Sequence, residues 1–466
     1  RLMYIPDDGA KEIASQLEVF KEPFYRLSRD TIWTQFTDLV KNALKIFPQQ
    51  GATILAIFGM YVMLSYRKEA AIEQSVLLLF QSILLFTLHC PLYSLTTLPS
   101  LPPLSTLWPL LLPLPLFSLL IPTLLSLPSP LLPPLPPLIL WSIPWQYVHM
   151  VSSIQYTPNT ILSALISTVC LLTGLLYLDI DIRYVPLCFI PGDILTILTG
   201  NRIQTEDKNT RTQSLWNLCK AWTKQTLCVY TEHLGLELTT LFLCLYANTD
   251  ALAAYAVVYA IQGCASMVGR SCALGLEDRL ATLIGLGRYT HAKNYFLFAI
   301  VGTGILGIVC AIPLQVMQYV LGTVLARSSE EMNKYFLTML SISTVGIPAR
   351  LLSASAQVGL RAVGKSSYFT KLNVLLTLWN SLLGATILYF SLSPTILLAL
   401  VTALSLEITV MGLIEAYKRS PWDKELRKCS ELHLSTSLFT EEEEEGADRA
   451  RLDCFLRELQ PVQVKR

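Results

Sequence analysis

TLCVYTEHLGLELTTLFLCLYA, residues 226–247, runs into Asn248-Thr249-Asp250 and then into a second apolar stretch, residues 251–276. Each run exceeds the roughly 20 residues that carry an α-helix across a bilayer. The stretch from Lys220 to Lys293 therefore reads as two membrane spans joined by a tight turn and followed by a basic loop, residues 279–293. Inside the first span sit Glu232 and Glu237, with His233 beside Glu232. A carboxylate at the middle of a membrane helix costs on the order of 3 kcal/mol on insertion scales, so by default it lines an aqueous cavity or an ion path. The competing reading is an interfacial or ion-paired structural set, and His233 reads as a packed or interfacial histidine.

Composition supports a polytopic membrane protein. Of 466 residues 52% are hydrophobic and only 15% charged, too apolar for a soluble globular chain of this length. A net charge of +1, with Lys and Arg confined to short loops, excludes the basic face that nucleic acid needs. The eleven cysteines, among them Cys170, Cys228, Cys244, Cys264 and Cys310, show no CxxC or Cys/His spacing and read as small hydrophobes. No metal and no cofactor is expected. The chain begins at Arg1, so its natural N-terminus is expected upstream.

In order, residues 1–45 suit a cytoplasmic segment and residues 46–199 a first membrane lobe. A linker, residues 200–224, precedes a second membrane lobe, residues 225–418, and a charged tail, residues 419–466, that includes the run Glu441 to Glu445. The second lobe offers six spans, about 226–247, 251–276, 292–325, 334–357, 368–390 and 394–417. Its longer loops are rich in Lys and Arg while the turns at 248–250 and 391–394 have none, which places both ends of the lobe in the cytoplasm. The first lobe is interrupted by residues 91–144, a Pro/Leu tract holding more than half of the 26 prolines. Runs such as Pro133-Pro134-Leu135-Pro136-Pro137 are not expected to be helical, because proline lacks an N–H and clashes with the preceding turn. The tract reads as a low-complexity insertion or as DNA translated in the wrong frame.

Gly359 to Ser366 fits the phosphate-loop pattern GxxxxGK[ST], but that motif needs a preceding strand. Here a membrane span precedes it and another follows, so it reads as a tight basic turn. The motifs of the second lobe resemble the eukaryotic multidrug and toxic compound extrusion (MATE) transporters. Glu232-His-Leu-Gly-Leu-Glu237 is similar to the two-glutamate signature of that family's seventh helix, and Asp250-Ala-Leu-Ala-Ala-Tyr-Ala to the start of its eighth. Residues 279–293 and Gly359-Leu-Arg361-Ala-Val-Gly364 look like its two basic loops. Residues 216–418 carry the resemblance well. In the first lobe Pro48 and Ser153-Ile-Gln-Tyr-Thr-Pro158-Asn match weakly, as in a divergent, N-terminally incomplete member.

The resemblance implies an all-α fold of two pseudo-symmetric bundles of up to six helices, the first degraded, around a central cavity. It implies a monomer of the plasma or vacuolar membrane, not an enzyme, that exports organic cations in exchange for protons or sodium. Glu232 and Glu237 would couple the ion, since a glutamate in an apolar cavity has its charged form disfavoured and can bind and release a proton. Tyr259, Gln262, Arg350 and Glu407 are the further candidate cavity residues. Where the family carries acids on its eighth and tenth helices, this chain has Ala260 after Tyr259, and Arg350. A guanidinium in a span must reach water or pair with a carboxylate, for which Glu232, Glu237 and Glu407 are candidates. Two alternatives remain: a non-transporting remnant or faulty gene model, and a flippase of lipid-linked sugars, whose cavity would be more cationic.

Overall fold

The computed structural model describes residues 56–67, 69–96, 113–116, 133–155, 160–199, 215–285, 289–362, 366–390 and 393–419, together with 37, 40, 41 and 118. Among these every regular element is helical. The first half comprises α1 (56–64), α2 (Ala70–Leu84), a π turn (Leu85–His89) and α3 (Cys90–Thr96). After the gap come α4 (Leu135–Gln155), α5 (Thr160–Leu172) with a second π turn (Thr173–Tyr177), a 3-10 segment (Ile182–Phe189) and α6 (Ile190–Thr199). The second half comprises α7 (Leu215–Tyr246), α8 (Thr249–Gly285), α9 (Tyr289–Val316), α10 (Gln318–Leu325), α11 (Glu330–Ala362), α12 (Ser366–Tyr389) and α13 (Pro394–Arg419). The N-terminal segment, most of the linker and the charged tail lie outside the described residues.

Six stretches among the described residues are long and apolar enough to cross a membrane: Ala70–Leu92, Ile182–Thr199, Thr249–Glu277, Ala292–Val316, Glu330–Gly359 and Pro394–Ile414. Their outward faces are apolar too. On α9, Val301, Ile305, Ile308 and Ile312 form one exposed stripe, and on α13 Val410 and Ile414 are exposed as well. Such a belt is a liability in water and needs no protein partner in lipid.

The proline tract departs from expectation at its far end. Helix α4 begins at Leu135, with Pro136 and Pro137 in its first turn. The first four N–H groups of a helix have no partner inside it, so proline there removes nothing; Pro134 lies just outside and accepts from the Leu138 N–H at 3.2 Å. Only Pro144 sits in the helix interior. Residues 97–112 and 119–132 lie outside the described residues. The span expected over 292–325 is two helices, α9 and α10, parted at Met317. The glycine of the phosphate-loop lookalike, Gly359, lies within α11, where a Cβ would come 2.6 Å from Cζ of Phe296. Its glycine is a packing requirement between helices.

Helix α11 is the centre of the second half: it packs along α8 and also meets α9 and α13, while α7 packs on α12. Two glycines let backbones approach. A Cβ on Gly269 of α8 would lie 3.0 Å from the Leu351 Cα, and one on Gly307 of α9 would lie 2.6 Å from the Pro348 Cα. At the end away from the basic loops the helix starts are capped and tied together. The Asn248 carboxamide oxygen accepts from the Ala251 N–H (2.8 Å), and Ser329 Oγ accepts from the Met332 N–H (3.0 Å) while donating to Asp250 (2.9 Å). In the first half, Arg67 knots two turns at the same end. It meets Asp179 at 3.0 Å and Glu73 at 3.4 Å, and donates to the Ile180 carbonyl at 2.8 Å.

The halves meet where α2 and α3 run antiparallel to α7, and where α2 meets α8. The π turn of Leu85–His89 shapes this seam. Pro91 cannot donate to Thr87, and the Cys90 N–H bonds to Leu85 rather than to Phe86. The freed Phe86 carbonyl accepts from the Tyr230 hydroxyl at 2.7 Å. Nearer the basic loops, Trp222 Nε1 donates to the Pro91 carbonyl (2.9 Å) and the Ser94 and Thr226 hydroxyls meet at 2.6 Å.

Candidate functional site

Glu237 stands at the seam. Helix α7 carries it between α2 of the first half and α8 of the second, with 4% of its surface exposed. Both carboxyl oxygens are bonded: Ser82 Oγ donates to Oε2 at 2.5 Å and the Tyr259 hydroxyl to Oε1 at 2.6 Å. Tyr61 of α1, itself 0% exposed, lies in the electrostatic field of the same carboxyl, as does Tyr255 one turn before Tyr259. Tyr61 is held in place by its hydroxyl bond to Gln81 (3.1 Å), and its carbonyl accepts from Gln74 (3.2 Å). Four helices thus converge on one carboxyl group, and among the described residues no Lys or Arg pairs with it.

This arrangement can exchange a proton. Two hydroxyl donors satisfy an ionised carboxylate, acceptor to acceptor. A protonated carboxyl carries a donor of its own and, having lost its charge, accepts more weakly from both hydroxyls, although it keeps acceptor lone pairs. Ser82 belongs to the first half and Tyr259 to the second, so the change is felt across the seam.

The other sequence candidates divide. Tyr259 is brought to Glu237. Gln262, one turn further along α8, is 2% exposed, and neither atom of its carboxamide has a partner. Arg350 on α11 is half-buried and forms no ion pair with Glu237 or Glu407. Its guanidinium lies in the field of the Tyr255 and Tyr259 hydroxyls instead. Tyr259, not Arg350, is bonded to Glu237, and the side chain of the third expected partner, Glu232, lies outside the described residues. Glu407 is exposed on α13 beside exposed Leu406 and Val410, apart from the cluster. The side chains of Glu232 and His233 lie outside the described residues.

Sequence reasoning passed over Ser82, and it passed over a second polar group in the first half. Asp193 of α6 accepts from Trp145 Nε1 (3.0 Å) and Ser152 Oγ (3.0 Å) and meets His149 Nδ1 at 3.2 Å, all three on α4. The His149 ring also stacks edge-on against His89. An acid inside the apolar span Ile182–Thr199 was the available signal. Among the described residues no group of three His, Cys, Asp or Glu side chains could hold a metal ion.

Residues 228–386 match the family model MatE, and that span contains Glu237, Tyr259, Gln262 and Arg350. No curated protein matches the chain. Among solved structures, the eukaryotic MATE transporter AtDTX14 is similar with a TM-score of 0.62 and 14% identity, over 86% of this chain and 99% of that one. An inward-facing multidrug resistance MATE transporter of the MOP superfamily gives 0.60 and 10% identity, over 80% of this chain and 96% of that one. A MOP superfamily transporter from Pyrococcus furiosus, described as having a binding pocket of reverse polarity, gives 0.61 and 10% over 83% and 96%. A likeness over 86% of the chain reaches beyond the second half, so the first half takes part in the same all-α fold.

Proposed function

We propose that this chain, which carries a MatE domain on the fold of MATE transporters, is a secondary active transporter that exports small organic compounds in exchange for protons, with Glu237 as the coupling group. The observation that carries this reading is the carboxyl group at the seam, held by one hydroxyl from each half and, among the described residues, by no cation. With Glu237 ionised, Ser82 and Tyr259 bridge the halves through it. Proton uptake removes the charge that strengthened both bonds and adds a donor at one oxygen, which weakens the bridges. Ser82 is the donor that gives way, because a serine on a helix can redirect its proton to the carbonyl four residues back, whereas the longer Tyr259 side chain carries its hydroxyl beyond its own backbone. Protonation therefore loosens α2 from α7 and lets the halves part, while it also removes the negative charge that held a cationic group of the substrate. Both effects release cargo on the side from which the proton came.

The test is transport in proteoliposomes under an imposed pH gradient. Glu237→Gln keeps the shape of the group and fixes it neutral, so pH-driven efflux is lost while insertion and monodispersity are retained. Efflux at the wild-type rate in a folded Glu237→Gln protein refutes the assignment, and dependence on a sodium gradient alone moves the coupling to sodium.

A further inference from the structure

Resting on the transporter reading, we infer that the cargo carries an anionic acceptor group, a carboxylate in the simplest case, received between α8 and α11 by Arg350 and Gln262. Arg350 is the one basic residue between Lys334 and Arg361. It is half-buried and has no carboxylate partner among the described residues, in a part of the molecule where an unpaired charge is costly to keep. Gln262, 98% buried by its 2% exposure, leaves both carboxamide atoms unbonded. Ser343, two turns before Arg350 and therefore on the same face of α11, keeps a buried hydroxyl without a partner.

Register brings these groups together. Helices α8 and α11 run in the same direction, tied at their starts by Ser329 and Asp250, and touching further on at Gly269 and Leu351. Arg350 is thus level with the residue before Gly269, between one and two turns beyond Gln262. Side chains on a helix lean toward its N-terminus, so the guanidinium rises toward Gln262 and the tyrosines, whose hydroxyls share its field. By register a cation, two amide hydrogens and a hydroxyl fall along the facing sides of α8 and α11, and among the described residues no carboxylate pairs with them. An organic cation meets repulsion there, whereas a carboxylate accepts from the guanidinium fork and the Gln262 amide at once. Tyr259 donates to Glu237 and also lies in the field of Arg350, so a zwitterion with its cationic end toward Glu237 and its anionic end at Arg350 matches both charges.

The test uses a zwitterionic carboxyrhodamine and its methyl ester, which differ in the one carboxylate. Binding to the detergent-purified protein is read by fluorescence polarisation, and transport is read in proteoliposomes. The wild type is expected to favour the carboxylate over the ester. Arg350→Gln is expected to cut that ratio by about 10- to 100-fold, the worth of a hydrogen bond to a charge, and Arg350→Lys by less. Equal binding of the two probes by the wild type overturns the inference without recourse to any variant, and so does an unchanged ratio in folded Arg350→Gln. Because the ratio is read in binding, it stands apart from coupling. Loss of the pH response in Glu237→Gln with the probe ratio intact supports both readings; retention of that response removes the proton site and leaves the Arg350 result to be judged alone.

Discussion

Replacing Gly307 by Ala should destabilise the protein, and replacing Gly304 by Ala, one turn away on the same helix face, should not. A Cβ at Gly307 would lie 2.6 Å from the Pro348 Cα, 3.1 Å from its Cβ and 3.3 Å from its nitrogen, all atoms of a backbone that no rotamer change can move. At Gly304 the nearest atom is the tip of Leu352, at 3.5 Å. Ordinary carbon–carbon contact begins near 3.5 Å, so α9 and α11 must part by about 1 Å at Gly307. Overpacking of that size costs about 1–3 kcal/mol. Both variants gain the same helix propensity, about 1 kcal/mol, which cancels in their difference. Each kcal/mol moves a melting temperature by about 2–4 °C in a chain of 150–250 residues and less in a longer one, so the two should separate by a few degrees. Heating in detergent followed by fluorescence-detected size exclusion, at one heating rate because membrane proteins unfold irreversibly, measures it. If Gly307→Ala melts with or above Gly304→Ala, the close crossing of α9 and α11 is wrong. Since Pro348 lies two residues before Arg350, the same displacement should also blunt discrimination between the rhodamine probes.

The Arg327 guanidinium sits 4.6 Å from the Tyr66 ring centre, and Ser65 Oγ donates to the Val324 carbonyl at 3.2 Å, so the halves touch at the end away from the basic loops. Tyr66→Cys with Arg327→Cys, joined by a short bifunctional reagent, should arrest transport reversibly with the linker; continued turnover in the joined protein would show that this contact does not open. Asp181, at the mouth of the 3-10 segment, is pushed up by burial, but the Arg183 side chain and N–H, at 2.8 Å and 3.0 Å, hold its carboxyl below the usual range. A carboxyl lowered in the folded state adds stability above its unfolded value, near 4, and loses it as pH falls through the lower folded value. Asp181→Asn should therefore flatten the fall of thermal stability as the pH drops below about 4. High salt should shrink the effect, because the group is largely exposed; an unaltered acid limb in low salt would contradict it.

Hydropathy made the second half legible because lipid imposes one length on every span. It misjudged helix ends because it measures bilayer thickness rather than helix continuation. Residues 215–225 contain neither Pro nor Gly, so α7 starts at Leu215 although its apolar run starts at residue 226. Glu237 stood out because charge is rare in a span. Its partner Ser82 did not, since a serine among leucines looks alike whether it faces lipid or a carboxylate 155 positions away. Pro136 and Pro137 misled because proline's penalty depends on position within the helix, which composition does not record. For Arg350 the sequence offered carboxylate partners from charge alone, and charge does not reveal that Glu237 is bonded by the neutral Tyr259.

The seam between α2–α3 and α7 sets the scale of the driving force that this protein needs. Among the described residues its side-chain hydrogen bonds include Ser82 to Glu237, Tyr230 to Phe86, Trp222 to Pro91 and Ser94 to Thr226, none of them an ion pair. Inside membranes such bonds average about 0.6 kcal/mol and reach about 1.7, so these four contribute about 2–7 kcal/mol. One elementary charge crossing 100 mV delivers about 2.3 kcal/mol. One or two protons per cycle are therefore commensurate with breaking these four bonds. A single buried ion pair in its place, at about 3–5 kcal/mol to break, would have absorbed that supply at one point and left nothing to lift the cargo against its gradient.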